Sequence, residues 1–187
     1  MSAPPSRPST RISPWALWVP LIVFLGFLVL VIHGLSRPGS TEVESTMIGK
    51  PLPAFTLPPA AGDRPGLSTY DFADEKPRLL NIFASWCVPC AIEAPQLQAL
   101  SDEGHEVVGV AIRDRREHVA AFLVKHGNPF ARIGKDDVSA VQLAIGSSGV
   151  PESFVIDGTG VIRYQHIGVI RAEDLPLIRE KMREARQ

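Results

Sequence analysis

The chain has 187 residues, 45% hydrophobic and 21% charged, which fits one ordinary domain plus an appendage and argues against bulk disorder. A formal net charge of −1, with no long basic run interleaved with aromatics, leaves no electrostatic case for a nucleic-acid partner. The two cysteines lie two residues apart and the histidines (His33, His105, His118, His126, His166) are scattered. That pattern opposes both a disulfide-stapled mini-domain and a four-ligand zinc site, and no metal or other cofactor is expected.

Residues 1–14 are rich in Ser and Pro, carry Arg7 and Arg11, and read as a cytoplasmic tail. The stretch Trp15–Ile32 (WALWVPLIVFLGFLVLVI) has no charge and is long enough to cross a ~30 Å hydrocarbon core as a helix. A transmembrane anchor is therefore placed at residues 15–35, with Trp15 and Trp18 at the interface. A cleavable signal peptide is the alternative, but the apolar core exceeds the usual ~7–15 residues, and His33-Gly34-Leu35-Ser36-Arg37 lacks a clear cleavage pattern. The basic residues ahead of the span put the N-terminus in the cytoplasm and the remaining chain outside. Residues 36–46 (SRPGSTEVEST) form a polar linker, and residues 47–187 form the folded domain.

Within that domain short apolar runs alternate with helical patterns, which is the signature of an α/β fold. Leu79–Ala84 reads as a buried strand, followed by a helix from about Val88 to Gly104. Glu106–Ile112 is a second buried strand, and Arg116–His126 an amphipathic helix. A short strand near Phe130–Ile133 and a helix near Val138–Ile145 follow. Ser153–Ile156 and Val161–Ile167 flank the turn Asp157-Gly158-Thr159-Gly160 as a β-hairpin. A charged helix from about Glu173 closes the chain, with Pro176 in its first turn.

The chemistry concentrates in Trp86-Cys87-Val88-Pro89-Cys90, between a buried strand and a helix. Cys87 then falls at the helix N-terminus, where unpaired N–H groups and the positive end of the dipole favour a thiolate, the nucleophilic form. Cys90, one turn on, lies within disulfide reach and points toward the protein, which suits it to resolve a mixed disulfide. Pro95 falls inside the same helix and is expected to kink it. A fragment of a zinc site is the alternative for an isolated C-x-x-C, and the absence of further ligands opposes it.

At these residues the chain resembles the thioredoxin superfamily, and specifically the cytochrome c maturation thioredoxins (the CcmG/DsbE family). The likeness is carried by Ile48–Leu57 (IGKPLPAFTL), Leu79–Cys90 (LLNIFASWCVPC), Gly127–Phe130 (GNPF) and Gly149–Gly168 (GVPESFVIDGTGVIRYQHIG). It implies a thioredoxin-like three-layer fold with a central mixed sheet, preceded by one transmembrane helix. It also implies that Pro151 is a cis-proline lying against Cys87 and presenting backbone groups to an incoming segment, a trans Val-Pro being the alternative. Glu93 and Glu152 match the acidic residues of the family's active-site cleft, where a carboxylate near Cys90 could relay its proton. The alternatives are a solvated first-turn carboxylate for Glu93 and a turn residue for Glu152. Ordinary thioredoxins carry a buried Asp six residues before the first cysteine; Asn81 stands there in this chain and cannot accept a proton at physiological pH. Ser147-Ser148 departs from the family pattern of an aromatic beside the cleft, which removes a packing or recognition surface.

The implied function is reduction of the C-x-x-C-H disulfide of apocytochrome c by a periplasmic domain held on the bacterial inner membrane. A membrane thiol-reductant carrier of the CcdA/DsbD kind would then re-reduce the enzyme. A general periplasmic disulfide reductase or isomerase, and a non-enzymatic component that holds apocytochrome for haem ligation, remain as alternatives. Val88-Pro89 places neither a positive charge nor a side-chain donor beside Cys87, which points to a reductant.

Overall fold

The computed structural model describes residues 18–35 and 47–186. Chain contacts divide the molecule into two units, residues 1–42 and 43–187. In the first, helix α1 spans Trp18–Leu35, and almost all its large apolar side chains from Trp18 to Ile32 are exposed. Its 18 residues rise about 27 Å at ~1.5 Å each, just short of a ~30 Å hydrocarbon core. Among the described residues no helix is long and apolar enough to cross a membrane. Residues 15–17 of the expected anchor, the expected tail at 1–14 and the expected linker at 36–46 lie outside the described residues.

The second unit is built on a five-stranded mixed sheet in the order β5-β4-β3-β6-β7. The strands are β3 (Arg78–Phe83), β4 (Glu106–Ile112), β5 (Phe130–Asp136), β6 (Glu152–Ile156) and β7 (Ile162–Ile167). β3 runs parallel to β4, and β4 to β5, while β6 alone runs antiparallel, to β3 on one side and β7 on the other. The parallel joins need crossovers, which α2 (Val88–Asp102) and α3 (Arg116–His126) supply. Successive strand residues face opposite sides, so a β3 buried at all six positions means that both faces of the sheet are covered. That explains why LLNIF is a continuous apolar run with one interruption, Asn81. Arg78 opens the strand and is also buried; its guanidinium is tied to Asp74 (2.6 and 2.7 Å) and Glu106 (2.7 Å), which offset its loss of water.

Four departures from the expected elements have local causes. β5 continues past Ile133 to Asp136 because Gly134, Lys135 and Asp136 keep pairing with Val110, Ala111 and Ile112 of β4, although their polarity hides the strand. Helix α4 covers only Ala140–Ala144. Ser139 takes a left-handed conformation, and the Asp136 carboxylate accepts the N–H groups of Ala140 (2.8 Å), Val141 (2.9 Å) and Gln142 (3.1 Å). That cap fixes the helix start two residues later than the apolar pattern suggests. The two-residue strands β1 (Thr56–Leu57) and β2 (Leu67–Ser68), with the 3-10 turn Thr69–Phe72, are too short to leave a periodic signal. The last helix, α5 (Leu175–Glu184), begins two residues later than expected, with Pro176 in its first turn.

Gly109 in β4 separates Phe83 of β3 from Phe130 of β5, whose rings stack at 4.8 Å. A Cβ there would sit 2.9 Å from the Phe83 ring and 3.0 Å from that of Phe130. Gly109→Ala should therefore lower the unfolding free energy by about 1–3 kcal/mol. Urea denaturation of the two proteins checks this; equal midpoints would show that the rings move aside freely.

Candidate active site

The site grows from the join of β3 and α2. Cys87 is the N-cap residue of α2, extended at φ −86° and ψ 104°, and its Sγ accepts the N–H of Cys90 at 3.2 Å. Pro89 occupies the first turn, where its missing N–H leaves no orphan donor. Cys87 and Cys90 form a disulfide with Cα atoms 5.3 Å apart. Burial does not separate the two cysteines: Cys87 is 5% exposed and Cys90 2%. What distinguishes them is the helix terminus, which offers an N–H to the sulfur of Cys87. Around the pair, Trp86, Val88 and Ile92 expose large apolar surfaces, so the disulfide lies in a greasy rim.

Asp114, just after β4, fixes the approach to the cysteines. Its carboxylate accepts the Ser85 N–H (2.6 Å), the Ser85 hydroxyl (2.9 Å) and the Arg115 N–H (2.8 Å). Trp86 leans on the same loop, its indole N–H reaching the Arg113 carbonyl at 3.4 Å. Arg113 itself sits at φ 47°, in the left-handed region that a non-glycine residue rarely takes. Sequence reasoning missed Arg113 and Asp114. The available signal was topological, since loops at the carboxyl ends of adjacent parallel strands are where such folds place their sites.

The Val150–Pro151 peptide bond is cis. Gly149 and Val150 line a shallow groove with Trp86, Arg113, Leu143 and Ser148. Glu152 follows and is fully buried, but its carboxylate is spent on the loop before it and on β7. Oε2 accepts the Ser147 hydroxyl (2.8 Å), the Ser148 N–H (2.8 Å) and the Gly149 N–H (3.3 Å), while Oε1 accepts the Gln165 side-chain amide. Among the described residues no hydrogen bond joins Glu152 to Glu93 or to either cysteine. Ser147 and Ser148, which read from sequence as a lost recognition surface, are the donors that hold this carboxylate.

Glu93 is different. It lies one turn beyond Cys90 on α2 and is fully buried, which removes the reading of a solvated first-turn carboxylate. Its Oε1 accepts from Asn81 Nδ2 (2.9 Å) and its Oε2 from the Ile170 N–H (3.0 Å), so it ties α2 to β3 and to the loop after β7. Asn81 Nδ2 also donates to Ser153 Oγ on β6 (2.9 Å). Burial pushes the Glu93 carboxyl up to about 7, against the opposing pull of these two hydrogen bonds. A carboxyl poised there can hold or release a proton near neutral pH. Asn81 and Cys90 also line one small cavity, together with Phe83, Leu97, Phe122 and Phe130. The arrangement therefore groups Cys90 with Asn81 and Glu93, and places Glu152 at the start of β6, beside the proline loop. Among the described residues no cluster of three or more His, Cys, Asp or Glu is arranged to hold a metal ion.

Residues 47–180 match the family described as Redoxin. The "Thiol:disulfide interchange protein DsbE" of Yersinia pestis is 38% identical over 176 residues, spanning 88% of this chain and 92% of that protein. "Thiol:disulfide interchange protein HelX" of Rhodobacter capsulatus is 35% identical over 146 residues, 78% and 82% of the two chains. Among solved structures, a thiol:disulfide interchange protein DsbE from Chlorobium tepidum superposes with a TM-score of 0.62 at 28% identity, covering 75% of this chain and 98% of that one.

Glu93 carries a pH signature. Its folded value of about 7 lies above the ordinary 4.5, so between these limits the folded state binds more protons than the unfolded state. Its contribution is complete below about pH 4.5 and is lost as the pH rises to 7. The full swing is roughly 3 kcal/mol. Glu93→Gln should lack it, so the variant's stability relative to wild type should rise between pH 5 and 8 in urea melts. Parallel pH profiles for the two proteins would place Glu93 at an ordinary carboxyl value.

Proposed function

The chain belongs to the redoxin family and is a thiol–disulfide oxidoreductase; on that footing we propose that it reduces the C-x-x-C-H disulfide of apocytochrome c from the periplasmic face of the bacterial inner membrane. The observation that carries the reading is the Cys87 sulfur at the start of α2, where the Cys90 N–H points at it. In the reduced protein that N–H and the helix dipole stabilise a Cys87 thiolate, which attacks one sulfur of the substrate disulfide. The S–S bond of the substrate breaks, a mixed disulfide to Cys87 forms, and the displaced substrate sulfur takes up a proton. Cys90 then attacks Cys87, which restores the Cys87–Cys90 disulfide and releases the second substrate thiol. Glu93 accepts the Cys90 proton in this step, a role its value of about 7 supports. Pro151 presents the backbone of its loop to the substrate segment, and Glu152 holds that loop in shape.

The remaining assignments follow the same reading. Residues 15–35 anchor the protein, with residues 1–14 in the cytoplasm, residues 36–46 as a tether and residues 47–187 outside. An oxidising compartment requires that the spent disulfide be reduced by a membrane thiol-reductant carrier of the CcdA/DsbD kind. A domain tied to the same membrane as its reductant meets it at raised effective concentration.

Trapping tests the substrate and the anchor together. Cys90→Ala removes the resolving thiol, so alkali-washed membranes carrying this variant should hold mixed disulfides of Cys87 with apocytochrome c. Retention of many unrelated secreted proteins instead would indicate a general reductase or isomerase. Release of a shortened soluble chain by the wash would remove the anchor. Electron-flow direction has its own measurement. Without a charge or side-chain donor at Val88-Pro89, the Cys87–Cys90 couple should equilibrate with glutathione nearer thioredoxin's ~−270 mV than the ~−120 mV of a strong oxidant. A value at the oxidant's end would reverse the direction.

A further inference from the structure

Asn81 is fully buried in the middle of β3, the one polar break in its apolar run from Leu79 to Phe83. Its Nδ2 is committed to two acceptors, Glu93 Oε1 and Ser153 Oγ, each at 2.9 Å. These bonds fix the amide's orientation whenever Glu93 is ionised, because turning it over would then set Oδ1 against a carboxylate oxygen. Oδ1 is buried, and no donor among the described residues reaches it. A buried carbonyl oxygen left in this state is costly. The cavity that Asn81 shares with Cys90 is otherwise bounded by apolar side chains, chiefly Phe83, Leu97, Phe122 and Phe130. The one side chain of that lining able to donate a hydrogen bond to Oδ1 is the Cys90 thiol, and only once the disulfide is broken.

We propose that Asn81 Oδ1 accepts a hydrogen bond from the Cys90 thiol, so that this amide favours the reduced pair and keeps the proton on Cys90 while Cys87 carries the thiolate, until Glu93 takes that proton at the resolving step. The inference rests on the redox reading above. Reduction by a dithiol moves two electrons onto the Cys87–Cys90 bond, which breaks, while an S–S bond forms in the donor. The donor's two thiol protons pass to solvent and to the new sulfurs; the one retained on Cys90 bonds to Oδ1. An amide oxygen bonds a thiol and repels a thiolate, whereas the Cys90 N–H at the start of α2 favours a thiolate on Cys87. Two sulfurs three residues apart thus meet opposite partners. The groups around Cys90 are few: Glu93, one turn on along the same helix, is titratable and bonded to Asn81, while α3 and β5 line the shared cavity with Phe122 and Phe130. Asn81 is a positioning residue, since it acts through the Cys90 thiol and not on the substrate.

The test uses the full chain in detergent and two readouts. Equilibration with graded glutathione mixtures reads the redox constant, and thiolate ultraviolet absorbance in a Cys87→Ser background reads the Cys90 pKa. Asn81→Leu should shift the redox equilibrium toward the disulfide by about tenfold, ~30 mV, and should lower the Cys90 pKa. Asn81→Asp is made together with Glu93→Gln, whose amide replaces the lost donor and avoids two facing carboxylates; relative to Glu93→Gln alone it should raise the Cys90 pKa. The Leu effect should persist when Glu93→Gln is added. Its disappearance there would assign the shift to Glu93 and overturn the proposal. So would a Leu variant within twofold of wild type, the result expected if a single bound water satisfies Oδ1 in both redox states. Should Asn81→Leu fail to fold, an unraised pKa in the Asp variant is by itself sufficient to reject the idea. A wild-type chain that does not cycle with glutathione overturns the redox reading and this inference with it, and is recognised before any variant is compared.

Discussion

A helix that begins on a sulfur atom can turn an N–H of its first turn toward that sulfur. The first turn of any helix has four N–H groups without intrahelical partners, and oxygen side chains usually meet them. Here the cap is Cys87, and Pro89 removes one of the donors that would need meeting. Divalent sulfur is a weak acceptor, whereas a thiolate is a strong one, so the same N–H is modestly used in the disulfide and well used after reduction. The terminus therefore stores a preference for charge on one particular atom. Everything else nearby serves to hold that atom in place: Asp114 grips Ser85 ahead of it, and the hydrogen bonds of Glu93 fasten α2 behind it.

Buried carboxylates organise the rest of the neighbourhood, and they do so by collecting backbone N–H groups. Asp114 fixes the loop entering the cysteines, Asp136 caps α4, and Glu152 gathers the loop ahead of the cis bond. Glu93 accepts one backbone N–H and one side-chain amide, and it is the carboxyl that burial drives up to neutrality. The contrast is physical. Glu152 spends its Oε2 on the donors of one loop, whereas a carboxylate with few donors in an apolar setting, as Glu93 is, gives up its charge more readily. Two glutamates that look alike in the sequence thus do different work, and their environment decides which.

The elements with long, regular patterns were legible from the residues alone. β4 and α3 have the bounds that their apolar runs mark, and the strand–C-x-x-C–helix join is where the spacing puts it. What stayed hidden lacks periodicity. β1 and β2 are two residues long, and the second half of β5 is written in Gly, Lys and Asp. The site divides the same way. Cys87 and Cys90 announce themselves, but the burial of Glu93 depends on Ile170, which arrives from beyond β7. Asp114 and Ser147 look like ordinary loop residues until their hydrogen bonds are seen. Pairwise contacts between distant segments leave no local trace in a chain, and such contacts build this site.

The strand order also sets a timetable. β3 is central in the finished sheet, yet its neighbour on one side is β6, and the Asn81–Ser153 contact spans 72 residues. A chain made from its N-terminus completes β3, α2 and β4 well before β6 exists. Until then β3 is an edge, with a row of unpaired N–H and C=O groups leading straight into two free cysteines. Long-range closure of this kind is slow, and it leaves apolar strand edges open to other chains while it lasts. The residues that end this interval are those from Glu152 to Ile156, so a chain cut short before them keeps both its reactive sulfurs and its stickiest edge uncovered.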